Sequence, residues 1–285
     1  RGAEYSRPVF DILNEVNKIA AKGAVEIYLL GQNVNAYHGL NSDGKNSSLA
    51  DLITQIAKID KVKRIRYTTS HPKDMSDDLI KAHGKIDKLM PFLHLPIQSG
   101  SNNVLKAMNR KHTRQDYFNI IKKLRESCPE IGLSSDFIVG FPGESNQDFA
   151  DTMDLVEKIG FTQCYSFKYS PRPGTPASDN INQIDEKIKN ERLSKLQSLL
   201  TKQQIEFNKK FEGQIIPVLF EKEAPKSKNS AKNGQRQILG KSPALQSVVA
   251  EIADDKMPES YFGKILEVKI IKSRPSSLIG EIVTL

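Results

Sequence analysis

Three carboxamides fall within four residues where an apolar run near the start of the chain ends. Val25 to Leu30 breaks at Gly31 into Gln32, Asn33, Val34, Asn35, Ala36 and Tyr37. An amide at the end of a buried strand costs about 1–3 kcal/mol unless it is paired. The carboxyl ends of strands are also where α/β barrels and open α/β sheets place their sites. Taken alone, the segment reads equally as a solvated loop whose amides close turns. Three more strand ends carry the same kind of residue: Thr68 to Pro72, His94 to Ser101, and Ser134 to Glu144. Amides, hydroxyls and Asp136 suit the ribose, amino and carboxylate groups of a polar cofactor. Gly140 and Gly143 let the backbone approach a flat ring. Arg110 and Lys111 follow a helix and read either as partners of its dipole or as holders of an anionic group. His71 and His94 read as hydrogen-bonded rim residues ahead of catalysts, and Glu144 as a helix N-terminal carboxylate. No His, Cys, Asp or Glu cluster has metal-ligand spacing, and no Ser–His or Cys–His pair announces a nucleophile.

The elements that must position these segments alternate in type. Helical periodicity appears over Val9 to Ile19, Leu49 to Ile56, 101–109, Tyr117 to Leu124 and Ser145 to Ile159. Ser76, with Asp77 and Asp78, is expected to cap a short helix that ends at Gly84. Strands are expected near 24–30, 63–69, 92–95, 131–139 and 162–168. Strands alternating with helices through short loops imply parallel strands with crossover helices, so the four polar ends share one rim. Five strands are an odd number for a barrel, and a further strand before Arg1 would fit the pattern. After Tyr169 a Pro-rich exit leads into a long helix over 184–210. Five short strands then follow, at 214–220, 235–240, 246–251, 263–272 and 278–285, with a basic loop over 222–241. About 70 residues of short strands suggest a small antiparallel barrel, a shape that often binds nucleic acid.

The chain has 285 residues, 38% of them hydrophobic and 27% charged, which excludes a disordered chain. No apolar stretch approaches the roughly 18–20 residues of a membrane span. The net charge of +8 is compatible with an ordinary basic protein or with a polyanionic partner. Cys128 and Cys164 are too few for a disulfide framework and read as reduced structural thiols.

Together the motifs resemble the radical S-adenosylmethionine methylthiotransferases, in particular the tRNA methylthiotransferases of the MiaB type. The residues that carry the resemblance span the chain. They are RGAEYSRP at 1–8, LLGQNVNAY at 29–37, TTSHP at 68–72, HLPIQSGS at 94–101, MNRKHT at 108–113, SSDFIVGFPGES at 134–145 and YSPRPGTPA at 169–177, with a TRAM-like terminal barrel. The ribosomal-protein branch of the family looks similar in SSDFIVGFPGE. It typically carries Gln-Asp where this chain has Gln32-Asn33, and it lacks Glu4, which favours the tRNA branch.

The resemblance implies an α/β fold, with a partial (β/α) radical-SAM barrel over 1–211 and a TRAM-like RNA-binding domain over 212–285. It implies S-adenosylmethionine and 4Fe–4S clusters as cofactors. Gln32 and Asn33 are expected at the amino end of methionine and Gln98 and Ser99 at the polar end of the cofactor. Ser135, Asp136, Ile138 and Gly140 are expected on the nucleoside side, with Arg110 in the same pocket. Arg236, Lys241 and Arg274 are expected to face tRNA. An electron-donating reductase of the flavodoxin type, a cytoplasmic location, a monomeric state and no membrane contact complete the picture. The family's activity methylthiolates carbon 2 of isopentenyladenosine beside the anticodon.

One departure stands out. The family's Cys-x3-Cys-x2-Cys motif lies just before the segment that opens this chain, and neither Cys128 nor Cys164 replaces it. The sequence is therefore expected to be a portion that is inactive alone, with a non-catalytic tRNA-binding remnant as the alternative. An unrelated hydrolase barrel would need a nucleophile or paired carboxylates at the rim.

Overall fold

A computed structural model describes residues 5–68, 70–225, 236–253 and 256–283. Five parallel strands follow one another: β1 (Glu26–Leu29), β2 (Arg64–Tyr67), β3 (Phe92–His94), β4 (Gly132–Val139) and β5 (Gln163–Lys168). They form a β1-β2 pair and a β3-β4-β5 sheet. A seam joins the two, where Ile65 N–H donates to the Lys88 carbonyl at 2.7 Å and Met90 N–H donates to the Ile65 carbonyl at 3.0 Å. The helices between the strands are α1 (Val9–Ala21), α2 (Leu49–Ala57), α3 (Asp77–Lys85), α4 (Asn102–Ala107), α5 (Arg114–Ser127) and α6 (Asn146–Ile159). The result is the expected partial (β/α) barrel.

Local sequence explains where the helices begin. Ser48, Thr113 and Ser145 each form a capping box with the Asp three residues on, so two orphan backbone donors are satisfied at each of α2, α5 and α6. Ser76 departs from expectation and caps no backbone group of α3. Asp78 in that first turn accepts the Ser48 hydroxyl at 2.7 Å and ties α3 to the start of α2.

Strand alternation divides the sheet into two faces. Ile27, Ile65, Leu93, Leu133 and Phe137 pack into the core under the helices, where each is at most 4% exposed. Their neighbours face the other way, into the barrel. On β1 and β2 these inward residues begin with Glu26, Arg64 and Arg66.

Helix α7 (Glu186–Lys209) leads to the second unit, a closed five-stranded barrel. Its strands are β6 (Ile215–Glu223), β7 (Arg236–Lys241), β8 (Ser247–Ile252), β9 (Ile265–Arg274) and β10 (Ser277–Ile282), in the order β10-β8-β7-β6-β9. All five expected strands are present. The barrel is not wholly antiparallel, however, because β10 runs parallel to β8. Alternating directions cannot close around an odd number of strands, so one parallel pair is forced. A separate core built on Val218, Phe220, Ile238 and Val268 fills it. Residues 226–235 of the basic loop lie outside the described residues.

The inward charges of the first barrel hold the second in place. Arg64 donates to the carbonyls of Lys241 at 2.9 Å and Pro217 at 2.8 Å. Arg66 donates to the carbonyls of Pro243 at 2.9 Å and Ser242 at 2.8 Å, and to Glu26 Oε2 at 2.9 Å. Both arginines are at most 3% exposed. The small barrel therefore closes the amino-terminal end of the parallel strands and leaves the carboxyl-terminal rim open.

Arg66→Met would strip two carbonyls of their donors and leave Glu26 with only the more distant Arg64. A loss of about 3 kcal/mol is expected, read from urea unfolding curves. A second expectation concerns acid. His83 in α3 is 5% exposed and shares a 2.7 Å hydrogen bond with the Tyr67 hydroxyl, and burial pushes it down to about 4. The unfolded chain takes up this proton near 6.5, so stability is full above that pH and falls as pH drops toward 4. The slope is at most about 1.4 kcal/mol per pH unit for one such group. His83→Gln keeps an acceptor for Tyr67 and should flatten the stability difference between pH 7 and pH 5.5.

Candidate functional site

The open rim is assembled from loops that hydrogen-bond across strands. Asn35, 7% exposed, accepts the His71 backbone N–H at 2.8 Å and donates to the His71 carbonyl at 2.9 Å. It clips the loop after β1 to the loop after β2 and has no spare capacity there. Asn33 donates to Asp74 at 2.7 Å, but its Oδ1 is buried with no partner among the described residues. Gln32 is exposed beside it.

After β3 the chain makes a single-residue bridge. Gln98 N–H donates to the Asp136 carbonyl at 3.0 Å, and the Gln98 carbonyl accepts Ile138 N–H at 2.9 Å. Gln98 does this at φ 79°, in the left-handed region that a non-glycine side chain disfavours. Such strain persists where the surroundings over-determine it, and it clusters at functional sites.

The next residues turn inward. The Ser99 hydroxyl lies 3.2 Å from Thr152 Oγ1, and Ile97 N–H donates to the Ser135 hydroxyl at 3.0 Å. Ser99 and Ser135 are both 0% exposed on the helix side. Both are expected as cofactor contacts, and in the structure their hydroxyls bond inside the protein, so a contact from either would come through its backbone.

Arg110 and His112 follow α4. The Arg110 guanidinium is half-buried, held below the usual arginine range by burial and opposed by the attraction of Asp136. His112 is 7% exposed, and neither ring nitrogen makes a hydrogen bond of full geometry among the described residues, the Ile97 backbone being its nearest polar neighbour. Its ring meets that of His71 edge-on at 5.4 Å. Burial first, then His71 and Arg110, push His112 down to about 4. His71 is lowered by the same causes, burial leading and Arg110 next. The Ser70 hydroxyl is also buried without a partner. Sequence reasoning found Arg110 but missed His112, although MNRKHT places the two residues two apart.

After β4, Gly140 has φ 69°, and a Cβ there would lie 2.3 Å from Lys189 Cγ of α7. Both facts demand glycine. Glu144, 3% exposed, accepts Gly140 N–H at 3.0 Å and Arg192 Nη1 at 2.7 Å. It is a strut between turn and helix α7, and burial raises its carboxyl. Ile138 faces the barrel interior, in register with Phe167.

Deeper inside, Ser134 Oγ lies 2.9 Å from His94 Nδ1, and Asp136 Oδ2 lies 3.6 Å from His94 Nε2. Ser, His and Asp are thus in line, as the sequence did not announce. Ser134 is 2% exposed and in strand register, so it orients the imidazole and is not placed to attack a substrate.

Of the three expected RNA-facing residues, Lys241 and Arg274 lie toward one end of the small barrel and Arg236 toward the other. Arg236 and Lys241 stand at opposite ends of β7, and Arg274 ends β9. Arg236 and Arg274 are exposed. Lys241 is drawn into the seam between the barrels, its carbonyl taken by Arg64 and its ammonium by Ser247 at 3.0 Å. Among the described residues no group of three His, Cys, Asp or Glu could hold a metal ion. Cys128 and Cys164 sit in unrelated places, each with its thiol raised by burial. No helix among the described residues is long and apolar enough to cross a membrane.

A family profile described as the Radical SAM superfamily matches residues 1–156. A tRNA-2-methylthio-N(6)-dimethylallyladenosine synthase of Wolbachia pipientis wMel is 55% identical over 280 residues, covering 98% of this chain and 61% of that protein. A protein of the same description from Rickettsia felis is 54% identical over 285 residues, 99% of this chain and 61% of its own length. The chain thus spans about three fifths of these relatives. Among solved structures, coproporphyrinogen III oxidase of Escherichia coli, described as a radical SAM enzyme, superposes with a TM-score of 0.49 at 14% identity. That match covers 97% of this chain and 64% of the other.

Gln98→Gly tests whether the rim is strained. Relief of the left-handed backbone should raise stability by about 1 kcal/mol in urea unfolding, even though a side chain is removed.

Proposed function

Since the chain belongs to the radical SAM superfamily, we propose that it forms the cofactor-binding barrel and RNA-binding barrel of a tRNA methylthiotransferase acting on N6-dimethylallyladenosine. The observation that carries the reading is the set of unmatched polar groups on the open rim, found in a chain 55% identical to a synthase of that description. Asn33 Oδ1 and the exposed Gln32 offer acceptors for an ammonium group. Arg110, with the buried His112 beside it, offers a donor and a positive charge for a carboxylate. Gln98, Ile138 and the backbone at Gly140 border the space between these groups and β4. These residues fit S-adenosylmethionine, which supplies a methyl group when bound.

The residues present do not fit an iron–sulfur cluster. Two separated, half-buried cysteines cannot supply the three or four thiolates a cluster takes. Catalysis by this chain alone is therefore not part of the proposal. The small barrel is read as a TRAM-like RNA-binding unit, with exposed Arg236 and Arg274 and the net charge of +8 in support. The chain is read as dividing at about residue 211, with the two separate cores in support. A cytoplasmic monomer served by a flavodoxin-type electron donor completes the reading.

The test has three parts. The chain should bind tRNA with an affinity that falls linearly in log–log plots against salt. After anaerobic reconstitution it should hold no 4Fe–4S centre, and one intact centre per chain would overturn the reading. Methylthiolated adenosine, followed by mass spectrometry of tRNA, should appear only when the part of the Wolbachia relative that this chain does not match is co-expressed.

A further inference from the structure

Two aromatic rings stand in water on the inner face of the barrel. Tyr165 and Phe167 of β5 are 52% and 54% exposed. Their register partners are Asp136 and Ile138, so all four share the face opposite the helices. Rings left bare on a concave face mark a surface that a ligand covers. Tyr165 meets the His94 ring edge-on at 6.5 Å.

Beside these rings lies one donor and one acceptor. The Ser134 hydroxyl occupies His94 Nδ1, and Asp136 faces Nε2. With Ser134 donating to Nδ1, the ring proton sits on Nε2. Side-chain exposures of 19% for His94 and 28% for Asp136 leave both within reach of a ligand. A carboxylate acceptor next to an N–H donor complements one kind of base edge. An adenine carrying a single N6 substituent keeps one N6–H, and its neighbouring ring nitrogen accepts. Guanine and hypoxanthine instead present a carbonyl oxygen where the carboxylate stands, which is repulsive.

We propose that His94, Asp136, Tyr165 and Phe167 form the wall that reads the N6-substituted adenine of the RNA substrate. Asp136 accepts the N6–H, His94 donates to the adjacent ring nitrogen, and the base stacks on Tyr165 or Phe167. This rests on the RNA-modifying reading above and moves Asp136 from the cofactor side, where sequence put it, to the substrate side. The apolar substituent would lie against the rings, leaving the unmatched amides and Arg110 of the rim, with Ile138, to the cofactor.

The experiment titrates the 285-residue chain with three stem-loop RNAs followed by fluorescence anisotropy. They differ at one position, bearing N6-dimethylallyladenosine, adenosine or inosine. S-Adenosylhomocysteine binding is measured in parallel by calorimetry. The parent chain should prefer the dimethylallyl RNA over the inosine RNA by about 10-fold or more. Asp136→Asn should erase most of that preference. Tyr165→Leu with Phe167→Leu, apolar but not aromatic, should weaken both adenine RNAs by about 10-fold. Neither variant should move S-adenosylhomocysteine affinity by more than about twofold, and circular dichroism confirms the fold of each. Should one variant misfold, His94→Phe, which keeps a flat ring and removes the donor, carries the test in its place. Retained discrimination in every folded variant overturns the proposal while leaving the RNA reading intact. Loss of S-adenosylhomocysteine binding in step with RNA binding also overturns it, since the wall would then hold the cofactor. A parent chain with no preference among the RNAs overturns both.

Discussion

Two buried guanidinium groups set the relation between the halves of this molecule. Arg64 and Arg66 are alternate residues of one strand, so both point into the barrel, and neither can be left unpaired in a place from which water is excluded. One carboxylate, Glu26, lies close to both, at 2.9 Å from Arg66 and 4.0 Å from Arg64. The remaining hydrogen bonds go to four backbone carbonyls of the small barrel. Backbone carbonyls have fixed positions, so this arrangement specifies an orientation as well as an association. Burial lowers Arg64 to about 10, which shows how much of its hydration has been given up. The seam closes one end of the parallel strands and leaves the other end to bind ligands.

That open end divides into committed and uncommitted groups. Asn35, Ser99, Ser135 and Glu144 have their hydrogen-bonding capacity taken up inside the protein. They hold loops at fixed distances. Asn33 Oδ1 and Ser70 Oγ are buried without partners among the described residues, and both nitrogens of His112 without a hydrogen bond of full geometry. Each such group costs about 1–3 kcal/mol in a folded chain. Several of them on one rim are tolerated when a ligand completes them, and this distinction separates the binding groups from the framework better than residue type does.

The sequence made the first of these levels legible and hid the second. Alternating strands and helices, capping residues at Thr113 and Ser145, and glycine at 140 are local signals, and the strands and the longer helices lie where periodicity puts them. The direction of the Ser99 and Ser135 hydroxyls was not legible, because a hydroxyl at a strand end looks the same in sequence whether it turns to the helices or to the rim. Strand parity decides this, and a one-residue uncertainty in register reverses it. The Glu26, Arg64 and Arg66 group was overlooked although the pattern is present, with opposite charges at inward positions of adjacent strands. Its meaning depends on contacts some 150–180 residues away in sequence. Nothing in the strand at 162–168 singles out Tyr165 and Phe167, because alternation identifies two faces but not which one is empty. The small barrel's parallel pair could have been deduced, since five strands were counted and an odd ring cannot alternate.

Charge placement at the rim gives the division of labour its physical basis. Arg110 is a fixed cation, and it helps keep His71 and His112 neutral by disfavouring a second and third positive charge nearby. The rim therefore presents a half-buried positive charge at Arg110, with acceptors at Asn33 and Gln32. A zwitterion whose carboxylate meets Arg110 and whose ammonium meets the amides satisfies both without burying a net charge. The wall of His94, Asp136, Tyr165 and Phe167 has the opposite character. Its carboxylate repels carbonyl oxygens and phosphates, and its rings reward flat apolar surface. Two ligands of different chemistry can then occupy neighbouring parts of one barrel without competing, because the groups that attract one are poorly suited to the other.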